Sequence, residues 1–276
     1  MTREFPVDLP EGYVEFYKHL ENWQNEQEIR LKQTFSPEAV HDVQQIADSN
    51  KSLMKLYRFV IDPQQYKNNY LSLLELLKIH RSGITETLNH LTKAAHNLDF
   101  AELPGKLLDD DENYFSSLAS RLDVPPELLV FTVDHALRPI LRLFAQPYYQ
   151  AFTNDDFRHW NQPTICPFCG SKSRFSRLRL DDGRRFMFCD RCFTEWESPN
   201  LYCVHCGNDE PNTINYMTIE NDPSYQLYTC EKCKGYLKTY DERESGKTTD
   251  LFIANIETIY LDILAQQKGY VTHDYE

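Results

Sequence analysis

The placement of the cysteines constrains this chain more than any other feature. All eight lie between Cys166 and Cys233, in four pairs of the form C-x2-C: Cys166/Cys169, Cys189/Cys192, Cys203/Cys206 and Cys230/Cys233. A two-residue spacer lets both thiolates of a pair bend onto one ion around a tight turn, and two such pairs supply a tetrahedron of sulfur ligands. Four pairs therefore imply two ions. The gaps inside each quartet, 19 residues from Cys169 to Cys189 and 23 from Cys206 to Cys230, suit a hairpin between two knuckles. The expected ligand sets are Cys166, Cys169, Cys189 and Cys192 for one metal, and Cys203, Cys206, Cys230 and Cys233 for the other. A crossed pairing of the knuckles is the alternative. Four sulfurs suit Zn and Fe alike, so the expectation is two metal ions, Zn or Fe, one per four-cysteine site. Redox or disulfide use would place four active pairs where no thioredoxin-like βαβ pattern surrounds them.

The two quartets form an internal repeat. Alternating or aromatic segments, Phe175 to Leu180 and Arg185 to Phe188 around Asp182-Gly183, then Ile214 to Ile219 and Tyr225 to Tyr228 around Asn221-Asp222-Pro223, read as one hairpin per quartet. Trp196 and Tyr236-Leu237-Lys238 follow the second knuckles as third-strand packing. Upstream, where no cysteine occurs, the apolar spacing is helical: Tyr13, Phe16, Tyr17 and Leu20 share a face, as do Tyr66, Tyr70, Leu73, Leu74 and Leu77 after an Asp62-Pro63 start. Further helices are expected near 36–48, 84–97 and 112–121. A long one after Pro125-Pro126 contains Pro139 as a kink. The tail from Leu251 to Gln267 returns to helical spacing, with Ile256, Ile259, Tyr260 and Ile263 as its apolar face and Gly269 as a C-cap. The expected fold class is α+β: an N-terminal all-α domain over 1–160, rubredoxin-like or zinc-ribbon modules over 161–200 and 201–242, and, over 243–276, a loop and a C-terminal helix packing on the body.

Charge narrows the function. With 29 Lys+Arg against 42 Asp+Glu the formal net charge is −13, and a divalent ion held by four thiolates adds two negative charges per site. Nucleic-acid binding, which needs a positive footprint, is therefore not expected. One stretch runs against this trend: Lys172, Arg174, Arg177, Arg179, Arg184 and Arg185 crowd the first hairpin. They suit either an anionic partner or a strand face that offsets the thiolate charge. The beginning of the chain has no export-type apolar region, and the longest apolar run, near Leu128 to Val133, is far short of the roughly 20 residues a bilayer needs. The expected location is cytoplasmic, with no membrane span. His205 and His159 flank the knuckles, but four cysteines already complete each tetrahedron, so neither is expected to bind metal. No G-x-G, H-E-x-x-H or G-x-S-x-G occurs, and Gly246-Lys247-Thr248 lacks the earlier glycine and leading buried strand of a phosphate loop. No catalytic residue is assigned.

These motifs resemble the FdhE family of bacterial formate dehydrogenase accessory proteins. The resemblance rests on Cys166-Pro-Phe-Cys169-Gly-Ser171, Arg185 with Cys189-Asp-Arg-Cys192-Phe-Thr-Glu-Trp196, Tyr202-Cys203-Val-His-Cys206-Gly207, and Cys230-Glu-Lys-Cys233-Lys-Gly-Tyr236-Leu237-Lys238, and continues into Tyr260-Leu-Asp-Ile-Leu-Ala265 and Gly269-Tyr270. It departs at Ser198-Pro199-Asn200 and in the tail after Tyr270, away from every cysteine. The resemblance implies a cytoplasmic, non-catalytic factor needed for active molybdenum formate dehydrogenase, which binds the catalytic subunit and carries rubredoxin-like C-x-x-C sites that can hold iron. Two other classes fit parts of the sequence. A nucleic-acid-binding double zinc ribbon draws on the basic hairpin, and a rubredoxin-like electron carrier draws on the four knuckles.

Overall fold

The computed structural model describes residues 9–35, 40–57, 59–154, 157, 160–219 and 222–273. The chain divides into two compact units, one of Met1–Tyr17, His41–Leu56 and Tyr148–Glu276, the other of Lys18–Val40 and Tyr57–Pro147. No helix among the described residues is long and apolar enough to cross a membrane.

The second unit is helical. Its main helices are the latter part of Tyr13–Lys32, then Pro63–His80, Thr85–Ala94, Glu112–Leu122 and Pro126–Ala145. Asp62 caps the Pro63–His80 helix by accepting from the backbone N–H groups of Gln64 and Gln65, so the Asp-Pro start signal acts as expected. The expected helix near 36–48 is the shorter Gln44–Ser49, with residues 36–39 outside those described. The Pro126–Ala145 helix is buried over nearly its whole length, and Tyr66, Tyr70, Leu73, Leu74 and Leu77 are all within 1% of full burial.

Pro139 sits inside that buried helix and carries no N–H, which deprives the carbonyl of His135 of its helical partner. A buried orphan carbonyl is costly, and side chains from neighbouring helices supply donors on this turn. Gln24 Nε2 donates to the His135 carbonyl at 3.3 Å, Asn69 Nδ2 to that of Ala136 at 3.2 Å, and the Tyr66 hydroxyl to that of Val133 at 2.7 Å. Gln24 also accepts from Arg142 Nη2 at 2.7 Å. Arg142, 1% exposed, makes a two-pronged pair with Glu21 at 3.1 and 3.0 Å.

In the first unit, the described strands form one six-stranded sheet in the order β3-β2-β1-β6-β5-β4: β1 Phe175–Leu178, β2 Arg185–Phe188, β3 Glu195–Ser198, β4 Ile214–Ile219, β5 Asp222–Cys230 and β6 Tyr236–Asp241. Each repeat gives a three-stranded antiparallel ribbon, as its pattern predicts. Asp222 and Pro223, expected in a turn, open β5, and Asn221 lies outside the described residues. The ribbons are not separate sheets: β1 and β6 pair in parallel, with Phe175 opposite Lys238 and Leu178 opposite Asp241. Ser176 and Thr239, both fully buried, place their hydroxyls 2.9 Å apart across this seam. A buried strand, β6, does lead towards Gly246-Lys247-Thr248, contrary to the sequence expectation. Gly246 there ends the short helix Glu242–Ser245 in a left-handed conformation.

One face of the sheet is covered by the tail. Phe175, Phe188, Leu227, Tyr236 and Tyr240 pack in one cluster with Leu251, Phe252, Tyr260 and Leu261. The tail is two helices, Leu251–Glu257 and Ile259–Gln267, broken at Thr258, whose hydroxyl donates to the Ala254 carbonyl. Of the face expected from one continuous period, only Tyr260 is buried, whereas Ile256, Ile259 and Ile263 are intermediate. Lys238, 3% exposed, donates to Asp262 at 2.7 Å and to the Asn255 carbonyl, and the Tyr236 hydroxyl donates to Asp262, which pins the second helix to β6.

Two stability outcomes follow. Gln24→Leu should cost roughly 2–4 kcal/mol in urea unfolding, because it strips partners from a buried carbonyl and a buried guanidinium, and adding Pro139→Ala, which restores the helical N–H, should recover part of the loss. Phe252→Ala should cost about 3–5 kcal/mol, and Ile263→Ala about 1 kcal/mol, in the same measurement.

Candidate metal centres

The four C-x2-C turns share one backbone geometry. In each, the N–H of the residue four after the first cysteine donates to that cysteine's carbonyl: Gly170 to Cys166, Phe193 to Cys189, Gly207 to Cys203 and Lys234 to Cys230, all at 2.8–2.9 Å. The first cysteine's own N–H donates to the carbonyl one residue further on, of Ser171, Thr194, Asn208 or Gly235, at 2.8–3.0 Å. This reversal requires a left-handed residue, and φ is +82° at Gly170, +63° at Phe193, +71° at Gly207 and +58° at Lys234. Two of the four positions thus hold side chains where glycine is the easiest occupant.

These turns aim the thiols inward and gather them as the contiguous quartets predict, not the crossed ones. All sulfurs of Cys166, Cys169, Cys189 and Cys192 lie within 4.8 Å of one another, and so do those of Cys203, Cys206, Cys230 and Cys233. All eight cysteines are free thiols, and the sulfur separations include 3.5 Å for Cys166 to Cys192, 3.6 Å for Cys169 to Cys189, 3.5 Å for Cys203 to Cys233 and 3.8 Å for Cys206 to Cys230. They match the edge of about 3.8 Å expected for sulfurs at about 2.3 Å from a tetrahedral ion. Both clusters are thus capable of holding a metal ion.

The centres differ in environment. The first is fully buried. Ser171 Oγ lies 3.2 Å from Cys169 Sγ and Thr194 Oγ1 3.1 Å from Cys192 Sγ, two hydroxyls placed to support thiolates. Burial pushes the Cys166 and Cys189 thiols well above their ordinary range. Against the same burial, the other three thiols and Arg191 draw Cys169 well below it. Further support comes from outside the ribbons. The N–H groups of Leu53 and Met54, opening the Leu53–Leu56 helix, donate to the carbonyls of Pro167 and Phe168, and the Tyr149 hydroxyl donates to that of Cys192.

The second centre is open to solvent at Cys206, and Cys233 is half-buried. The Gly235 N–H donates to Cys233 Sγ at 3.3 Å and Asn208 Nδ2 to Cys230 Sγ at 3.6 Å. Burial pushes the Cys203 thiol up to about 11. At Cys230, burial is outweighed by the N–H groups of Cys233 and Lys232 and by neighbouring thiols, which bring it down to about 7. Gly235 has no room for a side chain, since a Cβ there would sit 2.5 Å from the His205 ring and 3.1 Å from Cys233 Sγ.

His205 is outside both ligand sets, with its Nε2 2.9 Å from the Tyr236 carbonyl oxygen. His159 lies outside the described residues. Trp196 is fully buried and donates to the Pro163 carbonyl, and Tyr236 is equally inside, so the third strands pack as expected. In the basic stretch, Arg177 pairs with Glu195 and Glu242, Arg179 with Asp182, and Arg184 with Asp182 and Glu197. Ser171, Thr194 and Asn208 escaped the sequence reading, although their common position two residues after the second cysteine of a pair was a usable signal.

A family model described as FdhE, central domain, matches residues 165–199, and one described as FdhE, C-terminal domain, matches residues 201–276. The Protein FdhE homolog of Aquifex aeolicus (strain VF5) is 32% identical over 145 residues, covering 50% of this chain and 50% of that protein. The homolog of Stutzerimonas stutzeri (strain A1501) is 28% identical over 151 residues, covering 53% and 47%. The matches thus span about half the length of these curated relatives. The crystal structure of the FdhE protein from Pseudomonas aeruginosa aligns over 97% of this chain and 95% of that one, with a TM-score of 0.56 at 16% identity, a likeness of fold.

The unequal burial makes a labelling prediction. In chelator-treated protein at pH 7.5, iodoacetamide should modify the exposed Cys206 about tenfold or more faster than the four buried cysteines of the first centre, because access to the thiol sets the rate. Added Zn2+ should suppress this labelling, as read by peptide mass spectrometry.

Proposed function

We propose that this chain, which FdhE family models match over residues 165–199 and 201–276, is a cytoplasmic accessory factor for the maturation of a molybdenum formate dehydrogenase, acting without catalysing turnover itself. The observation that carries this proposal is that each family domain contains one complete four-cysteine cluster built on two knuckles of the same backbone geometry. Each quartet holds one ion, Zn or Fe, through Cys166, Cys169, Cys189 and Cys192 or through Cys203, Cys206, Cys230 and Cys233. The ion supplies rigidity: four thiolates fixed on one centre lock two hairpin ends whose local cores are small.

The partner is the formate dehydrogenase catalytic subunit. Arg185, Trp196 and Tyr236 are buried and do not face a partner. The client-facing surface is assigned instead to the open side of the second centre, where Cys206 is exposed. The nucleic-acid alternative loses its main support, since three arginines of the basic hairpin are committed to carboxylates.

Elemental analysis of freshly prepared anaerobic protein should give two metal ions per chain, and fewer would count against the paired centres. Cells lacking the gene should lose formate dehydrogenase activity, and a copy with Cys203→Ser and Cys206→Ser should not restore it. Normal activity in the deletion strain, with no second copy of the gene, would sink the assignment.

A further inference from the structure

Arg185, at the start of β2, is 1% exposed, yet no carboxylate among the described residues pairs with it. Its guanidinium carbon lies 4.1 Å from the centre of the Tyr228 ring, and Nη1 reaches the Pro199 carbonyl at 3.4 Å. Nε and Nη2 have no hydrogen-bond partner among the described residues. Asp241, a nearby acid on β6, is taken by Arg243 and Gln226. An arginine keeps its charge in a protein, and a buried cation without a partner is strongly unfavourable. Stacking on a phenol ring compensates only part of that cost.

Arg185 lines a cavity of about 10 Å³, room for one water molecule, together with Cys203 and Cys230 of the second centre. Four thiolates around a divalent ion carry two net negative charges, and in a poorly solvated interior such a centre attracts a nearby cation strongly. Arg185 and two cysteines of the anionic centre therefore line one cavity. We propose that Arg185 is the buried counter-charge of the second four-cysteine centre, a positioning residue that favours the ionised thiolates of Cys203 and Cys230 around their metal. The inference rests on the metal-binding proposal above. It also assigns the two centres different support: hydroxyls of Ser171 and Thr194 beside the first, and a full positive charge beside the second.

The test uses the full chain loaded with Zn2+, and total zinc is measured first. Zinc is then drawn off with a chromophoric chelator, and the second centre is identified by alkylation of the exposed Cys206 as its ion leaves. Arg185→Met, similar in length but uncharged, should release the second zinc at about tenfold lower chelator concentration while the first centre holds as in the wild type, and Arg185→Lys should recover part of the loss. In the metal-free chain, Arg185→Met should melt no lower than the wild type, because a buried charge without its partner has been removed. A variant that merely damages the fold would instead weaken both centres together and melt lower without metal. Fewer than two zinc ions in the wild type would defeat the metal-binding proposal itself. Two zinc ions, with Arg185→Met moving neither release step or both alike, would overturn the role of Arg185 alone.

Discussion

A pair of backbone hydrogen bonds, repeated at four turns, turns C-x2-C from a spacing into a site. The N–H of the fifth residue folds back on the first cysteine's carbonyl, and the first cysteine's N–H reaches the sixth residue's carbonyl. Together these fix both sulfurs of a pair on the inside of the turn. The bonds demand a left-handed residue, and the chain accepts that conformation even at Phe193 and Lys234. At Phe193 the ring finds packing against Phe188 and Phe252, so the local strain is offset by burial in the apolar cluster.

The second organising contact is the parallel pairing of β1 with β6. It joins the first strand of one ribbon to the last strand of the other, so the repeat is not mirrored at the seam. The consequence is a continuous surface from β2 to β5 wide enough to bury Phe252, Tyr260 and Leu261. A ribbon of three short strands has little core of its own, and sharing a sheet lets both ribbons bury the same two helices. Both metal clusters therefore stand on one covered sheet.

Buried arginines in the two units are handled in different ways. Arg142 meets Glu21 and Gln24 in a helix whose Pro139 already required extra donors nearby, so one polar cluster serves the charge and the broken ladder together. Arg185 meets an aromatic face and a water-sized cavity shared with two cysteines. A carboxylate would neutralise Arg185 permanently, whereas a metal-thiolate centre does so only when loaded.

Spacing and periodicity were enough to read the chain's parts. The four knuckles, their grouping into contiguous quartets, the hairpins between them and the helices around Tyr66 and Leu137 follow from local pattern, because turn geometry and amphipathic faces are decided over a few residues. The family resemblance rested on the same short motifs. What lay between distant segments was not legible. The β1–β6 seam, the support of the first centre by Leu53, Met54 and Tyr149, and the burial of Arg185 beside Cys203 depend on residues far apart in the chain. The tail shows the boundary: its helical period was visible, but the helix breaks at Thr258, so Tyr260 is buried while Ile256, Ile259 and Ile263 are only partly covered. Local sequence determined which elements form and which thiols converge. Only tertiary packing decided which charges are buried, because the cost of burying a charge depends on partners brought in from elsewhere in the chain.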